Sequence, residues 1–281
     1  MNNRPVIFID SGVGGLPYCR NFLDRNPQES VIYTADRLNF PYGQKKKEDL
    51  IVILTDLTEK LIKLLNPKVI VLACNTASIS ALGSLRENFP LLPFVGTVPA
   101  IKPAAKASGG GKVGVLGTSR TIEDDYIQHL GKCEIFGVAA PELAEFVEQR
   151  FDCADEEEKT NIVRKYVEIF RAGGVNSIVL GCTHFLYLIE EFKREASPSI
   201  TIFDSLEGIT NRIETLLNEN GNALRASALR TNSPCASCGE VSRAEQDCRF
   251  RLLLTGTEPI ETSWKKKAEV FNFTPGLLCE I

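Results

Sequence analysis

Histidine is nearly absent: the 281-residue chain has two, His129 and His184, beside one methionine and one tryptophan. So few imidazoles make a His-rich metal centre a poor reading of the chain. Long apolar runs are missing as well. The longest aliphatic stretch beside a polar motif, Val69 to Cys74, is far short of the roughly 20 residues that a bilayer-spanning helix needs. The N-terminal run Val6 to Ile9 is too short for a signal-peptide core, and no small-residue cleavage site follows it, so we expect no secretory leader. There is no basic excess: 32 Lys+Arg against 36 Asp+Glu give a net charge of −4. A nucleic-acid binder would show such an excess or a basic stripe, so no nucleic-acid partner is expected. The lysine triplets Lys45–Lys47 and Lys265–Lys267 are each followed by acids and read as solvated faces. Nine cysteines form no spaced disulfide framework. Reduced thiols in a cytoplasmic protein are the expectation, with no membrane partner.

What is present is ordinary globular composition, 43% hydrophobic and 24% charged, with room for about two domains. Val6–Ile9, Val31–Tyr33, Val69–Leu72, Val113–Leu116 and Ser177–Leu180 read as strands buried on both faces, as a parallel sheet requires. Between them Leu50, Leu54, Leu57, Leu61, Leu64 and Leu65 fall at helical spacing and predict one apolar stripe. Alternating strand and helix argues for an α/β fold with right-handed crossovers.

The chain also resembles itself. Cys74 and Cys182 lie 182 − 74 = 108 residues apart, and Ser11 with Ser119 and Thr97 with Ser205 share that offset. Three motifs in one register predict two similar halves, each presenting polar residues where its strands end. One seam is expected near Thr97–Lys106, before the Ser108–Gly111 turn, and a second near Ser205–Gly208. The remainder would return to the first half or form a cap, with a loop-rich, polar stretch from about Ala226 to Asp247.

Two motifs carry the chemistry, Ala73-Cys74-Asn75-Thr76-Ala77-Ser78 and Gly181-Cys182-Thr183-His184. Each sets a thiol after a buried strand and before an expected helix, at the sheet edge where α/β proteins bind ligands. A helix N-terminus offers unpaired N–H groups and favours thiolate, so a lowered thiol pKa is expected. Two opposed thiols suit stereoinversion, in which one removes a proton from carbon while the other returns one to the opposite face. Asp10 opens a glycine-rich turn, Asp10-Ser11-Gly12-Val13-Gly14-Gly15, whose N–H groups could hold a carboxylate or phosphate. It is neither a dinucleotide fingerprint nor a Walker A loop. His184, two residues from a thiol, could orient or deprotonate it. Glu148 lies on a helical stretch, Pro141–Arg150, and reads as solvated from composition. Cys235 and Cys238 form a single C-x-x-C, read as surface thiols ahead of a zinc site. Cys19, Cys133, Cys153 and His129 have no chemical context.

With Tyr33-Thr34-Ala35-Asp36, Asn39-Phe40-Pro41-Tyr42-Gly43 and Gly117-Thr118, these segments resemble the glutamate racemases, the cofactor-independent amino-acid racemases of bacterial cell-wall synthesis. The resemblance runs essentially end to end. It implies two doubly wound α/β domains, residues 1–97 with 207–281 and residues 98–206, with the active site in the cleft between them. It implies interconversion of L- and D-glutamate without pyridoxal phosphate or metal, supply of D-glutamate to peptidoglycan, and a homodimer. Cys74 would deprotonate D-glutamate with help from Asp10, and Cys182 L-glutamate with help from His184. Ser11, Pro41, Tyr42, Gly43, Asn75, Thr76, Thr118, Glu148 and Thr183 would form the substrate site. Ala140 stands where the family often has cysteine.

An aspartate racemase is the nearest rival. It usually carries an acid in place of His184 and lacks the Asn39–Gly43 segment. A protein that binds glutamate without turning it over belongs to a different class.

Overall fold

The computed structural model describes residues 4–130, 133–228, 250–256, 259–270 and 274–278. The chain begins as β1 (Val6–Asp10), α1 (Leu16–Arg25), β2 (Val31–Ala35), α2 (Lys47–Leu65), β3 (Val69–Leu72), α3 (Asn75–Asn88) and β4 (Phe94–Gly96). A second run follows: α4 (Ile101–Ala107), β5 (Val113–Gly117), α5 (Ser119–Glu123), α6 (Asp125–His129), β6 (Ile135–Ala139), α7 (Pro141–Gln149), α8 (Glu156–Ala172), β7 (Ser177–Gly181), α9 (Ile189–Ala196) and β8 (Thr201–Phe203). The chain then adds α10 (Leu206–Ala228), β9 (Phe250–Thr255), α11 (Thr262–Val270) and β10 (Thr274–Leu278).

All paired strands are parallel. The strand order is β10-β9-β2-β1-β3-β4 in one sheet and β6-β5-β7-β8 in the other. The second order repeats β2-β1-β3-β4, so the internal resemblance is one of topology. Its offset is 177 − 69 = 108 residues for the third strands but 113 − 6 = 107 for the first. The described part of the tail returns to the first half: β9 and β10 extend the first sheet at β2. Each sheet carries one lobe. The turn joining α4 to β5 needs its glycines, since Gly109 and Gly110 take φ of +63° and +90°.

Successive side chains of a strand point to opposite faces. Val6 and Phe8 accordingly join one core and Ile7 and Ile9 another, the latter under α2 and α3. The first of these cores is continuous across both lobes, taking in Leu116, Ile178 and Leu180 of the second sheet with Phe170 and Phe192. The second sheet's other face, Val113, Val115 and Val179, packs on Ile101 and Ala104 of α4.

Three local expectations change. Leu64 is exposed, outside the stripe that Leu50, Leu54, Leu57 and Leu61 bury. The segment after Cys182 is a 3-10 stretch, Thr183–Leu188, before α9. Residues 226–228 are helical, at the end of α10; Cys235, Cys238 and the rest of the expected loop to Asp247 lie outside the described residues.

Candidate active site

Parallel strands bring their C-terminal ends to one edge, and this chain puts its polar motifs there. Asp10 ends β1, Thr118 follows β5, Cys74 caps α3, and Cys182 caps the 3-10 stretch. Both thiols line one cavity of about 420 Å³, within the roughly 300–1,000 Å³ typical of ligand sites. Ser11, Pro41, Tyr42, Gly43, Asn75, Thr76, Thr118, Thr183 and His184 line it with them. Asp10, fully buried, and Glu148 stand behind that lining. Cys19, Cys133 and Cys153 are not part of it.

Behind Cys182 stands a relay. His184 Nδ1 lies 3.8 Å from the Cys182 sulfur, and Nε2 lies 2.6 Å from Glu148 Oε1. The same oxygen accepts the Val13 N–H at 2.7 Å. Burial works against the imidazolium, but the hydrogen bonds to Cys182 and Glu148 and the charges of both outweigh it. His184 is therefore held well above its ordinary value. Glu148 is not the solvated side chain that composition suggests.

The relay presses on the glycine-rich turn of the other lobe. A Cβ on Gly12 would lie 1.8 Å from Glu148 Oε1, and one on Gly14 would lie 2.5 Å from His184 Nδ1 and from Thr183 Oγ1. These glycines admit the neighbouring side chains at close range. Three of the turn's N–H groups have protein acceptors: Gly12 on Asp10 at 2.9 Å, Val13 on Glu148, Gly15 on the Tyr33 hydroxyl at 3.1 Å.

The Cys74 side has opposite electrostatics. Burial and the charge of Asp10 push this thiol well above its ordinary value, although the amides of Ala77 and Thr76 hydrogen-bond it. The expected lowering is thus reversed at Cys74, because helix-end amides do not offset full desolvation beside a carboxylate. Burial raises Asp10 in turn, against the charge of His184 and the Gly12 N–H. Asp10 Oδ2 accepts the Thr183 hydroxyl at 3.0 Å, tying the two lobes together. Asn75 has both amide atoms buried with no hydrogen-bond partner among the described residues. A buried amide left unpaired is costly, and here it lines the cavity.

Over the cavity the lobes meet again. Thr76 and Thr118 hydroxyls are 3.1 Å apart, a Cβ on Gly43 would lie 3.2 Å from Thr118, and Arg120 Nε donates to the Lys45 carbonyl at 2.8 Å. The Tyr42 hydroxyl donates to Asp36 at 2.8 Å, so this tyrosine faces the cavity with its phenol already bonded. Asp36 also accepts Asn39 Nδ2 at 3.0 Å and the Thr255 hydroxyl at 2.8 Å, and so fixes the 39–43 segment. Sequence reading assigned no role to Asp36 or Thr255. The available signal was position: Asp36 follows β2 as Asp10 ends β1, its neighbour in the sheet.

Residues 20–211 match the family model described as Asp/Glu/Hydantoin racemase. The glutamate racemase of Roseiflexus sp. is 34% identical over 245 residues, covering 85% of this chain and 89% of the relative. That of Treponema pallidum is 36% identical, covering 83% and 86%. Among solved structures, Escherichia coli glutamate racemase in complex with L-glutamate and the activator UDP-MurNAc-ala has a TM-score of 0.79 at 27% identity, covering 98% of each chain. Glutamate racemase isoform RacE1 from Bacillus anthracis has a TM-score of 0.74 at 26% identity, covering 100% of this chain and 98% of that one. A match through more than half of the sequence, on a fold shared from end to end, makes this chain a member of the Asp/Glu racemase family.

Proposed function

We propose that the chain racemises glutamate, with Cys74 and Cys182 as the paired base and acid and no cofactor. The observation that carries this reading is that two thiols, one from each lobe, line a single cavity. From L-glutamate, the Cys182 thiolate takes the α-proton and the C–H electron pair stays on carbon. The Cys74 thiol then protonates the opposite face, leaving Cys74 as thiolate and Cys182 as thiol. D-glutamate runs the same steps backwards. The imidazolium of His184 is the counter-charge that a Cys182 thiolate needs, and burial keeps Cys74 protonated as the matching acid.

The α-proton of an amino acid is a weak acid, so the developing carbanion needs fixed donors and a dry site. Asn75, with its free amide, is the first such donor, and Ser11, Thr76, Thr118 and Thr183 share the carboxylates and ammonium. Pro41, Tyr42 and Gly43 form the wall. Asp10 assists Cys74, and Glu148 holds His184. In this proposal residues 1–97 with 207–281 and residues 98–206 move as two domains around the cleft. The protein works in the cytoplasm as a homodimer and supplies D-glutamate for peptidoglycan. His184 and the Asn39–Gly43 segment favour glutamate over aspartate as substrate.

Circular dichroism of D-glutamate with metal-free, pyridoxal-free protein tests the reading. The signal should decay to zero while solvent deuterium enters the α-position, and more slowly with aspartate. A stable signal over an intact D-glutamate site would mean a binding protein instead.

A further inference from the structure

The lysine triplet 265–267, read from sequence as a solvated face, divides in the structure. Lys265 and Lys266 are exposed, whereas the Lys267 side chain is 7% exposed and its Nζ bonds Asp152 Oδ2 at 2.6 Å. The two partners belong to different lobes. Lys267 lies on α11, between β9 and β10, while Asp152 lies in the turn between α7 and α8. An ammonium is costly to bury unless it is paired. Trp264, one turn earlier, is buried in the same core as Phe146 and Val147 of α7.

The path from Asp152 to a catalytic thiol is short. Its neighbours Arg150 and Phe151 both donate backbone N–H groups to the Phe146 carbonyl, at 2.8 and 2.9 Å, closing the end of α7. The Phe151 ring meets Tyr187 edge-on with centroids 5.3 Å apart. The Tyr187 hydroxyl donates to the Val13 carbonyl at 3.0 Å, and the Val13 N–H donates to Glu148. Glu148 holds His184, which faces Cys182.

We propose that Lys267 is a positioning residue for the Cys182 half of the site. By holding Asp152 it fixes the turn that ends α7, and with it the point from which Glu148 reaches His184. The inference rests on the two-thiol reading and ties the last helix to one of the two bases. Loosening the pair slows proton transfer at Cys182 and leaves transfer at Cys74 unaffected.

The test uses the full chain carrying Lys267→Met. Enantiomers have equal free energy, so kcat/KM must fall equally in both directions; the asymmetry appears in primary isotope effects. We expect kcat/KM about tenfold lower, short of the roughly hundredfold loss from a full ångström of misplacement. The isotope effect from α-deuterated L-glutamate should grow and that from D-glutamate shrink, with Lys267→Arg close to wild type. A second readout needs no turnover: iodoacetamide labelling, mapped by mass spectrometry, should slow at Cys182 relative to Cys74. A chain that labels this way but does not racemise glutamate keeps the link and loses the proposed function. Unchanged labelling ratio and isotope effects, or isotope effects that rise equally in both directions, overturn the link. Should Lys267→Met not fold, Asp152→Asn, at the more exposed end of the pair, carries the same expectations.

Discussion

Glu148→Gln is the sharpest test of the relay, because it removes a charge and keeps the shape. One oxygen of Glu148 accepts two N–H groups, from Val13 at 2.7 Å and from His184 at 2.6 Å. A glutamine oxygen still satisfies Val13, while the bond to His184 loses its ionic character. A hydrogen bond to a charged group contributes about 1.5–3 kcal/mol and a neutral one about 0.5–1.5 kcal/mol. The difference, about 1–1.5 kcal/mol, is roughly tenfold in rate. Steady-state polarimetry should therefore show kcat/KM about tenfold lower and equal in both directions, with the isotope effect growing from L-glutamate. The pH dependence adds a sign. Glu148 helps hold His184 protonated against burial, so in the variant the imidazolium deprotonates at lower pH and the alkaline limb of L-glutamate turnover moves down. The stability that Glu148 gives through His184 is complete below the ordinary imidazole value of 6.5 and fades as pH rises through the raised folded value. The gap in Tm between wild type and variant should thus be widest at mildly acid pH. An alkaline limb that stays in place, with an unaltered isotope effect, would refute the relay.

Cys74→Ser and Cys182→Ser should each lower racemisation by at least about two orders of magnitude, the scale of general acid–base catalysis; wild-type turnover in either variant would remove the two-thiol mechanism. Asn75→Ala discards two buried amide atoms that have no partner among the described residues, so it should leave Tm unchanged or raised while KM rises; a fall in Tm with KM unmoved would mean that the amide is structural. Gly14→Ala forces a methyl to within 2.5 Å of His184 Nδ1 and Thr183 Oγ1; overpacking of this kind costs about 1–3 kcal/mol, and a thermal melt should show it together with lost activity.

The central strands were legible because burial on both faces leaves a near-continuous apolar run, as at Val6–Ile9 and Val69–Leu72. β6 was not, since Ile135–Ala139 is half-buried and holds two exposed positions. β4 and β8 are three residues each, too short for any period to register. The tail strands could not be placed, because β9 joins the sheet at β2, more than two hundred residues earlier, and β10 only follows β9. Cys74 and Cys182 stood out through matched context. Glu148 was invisible to composition: a carboxylate on an amphipathic helix carries no mark of the histidine it meets thirty-six residues later in the chain. The lowered thiol expected at Cys74 failed for a related reason, since a motif shows the helix end but not the depth of burial or the carboxylate beside it.

The glycine-rich turn that admits Glu148 and His184 has one further consequence. To part the lobes, the protein must break the Val13–Glu148, Tyr187–Val13 and Asp10–Thr183 bonds. The first of these shares its carboxylate oxygen with the histidine behind Cys182. Cys182, His184 and Glu148 ride together on one side of that seam, so separation strips a single N–H from the carboxylate and leaves its bond to the imidazole whole.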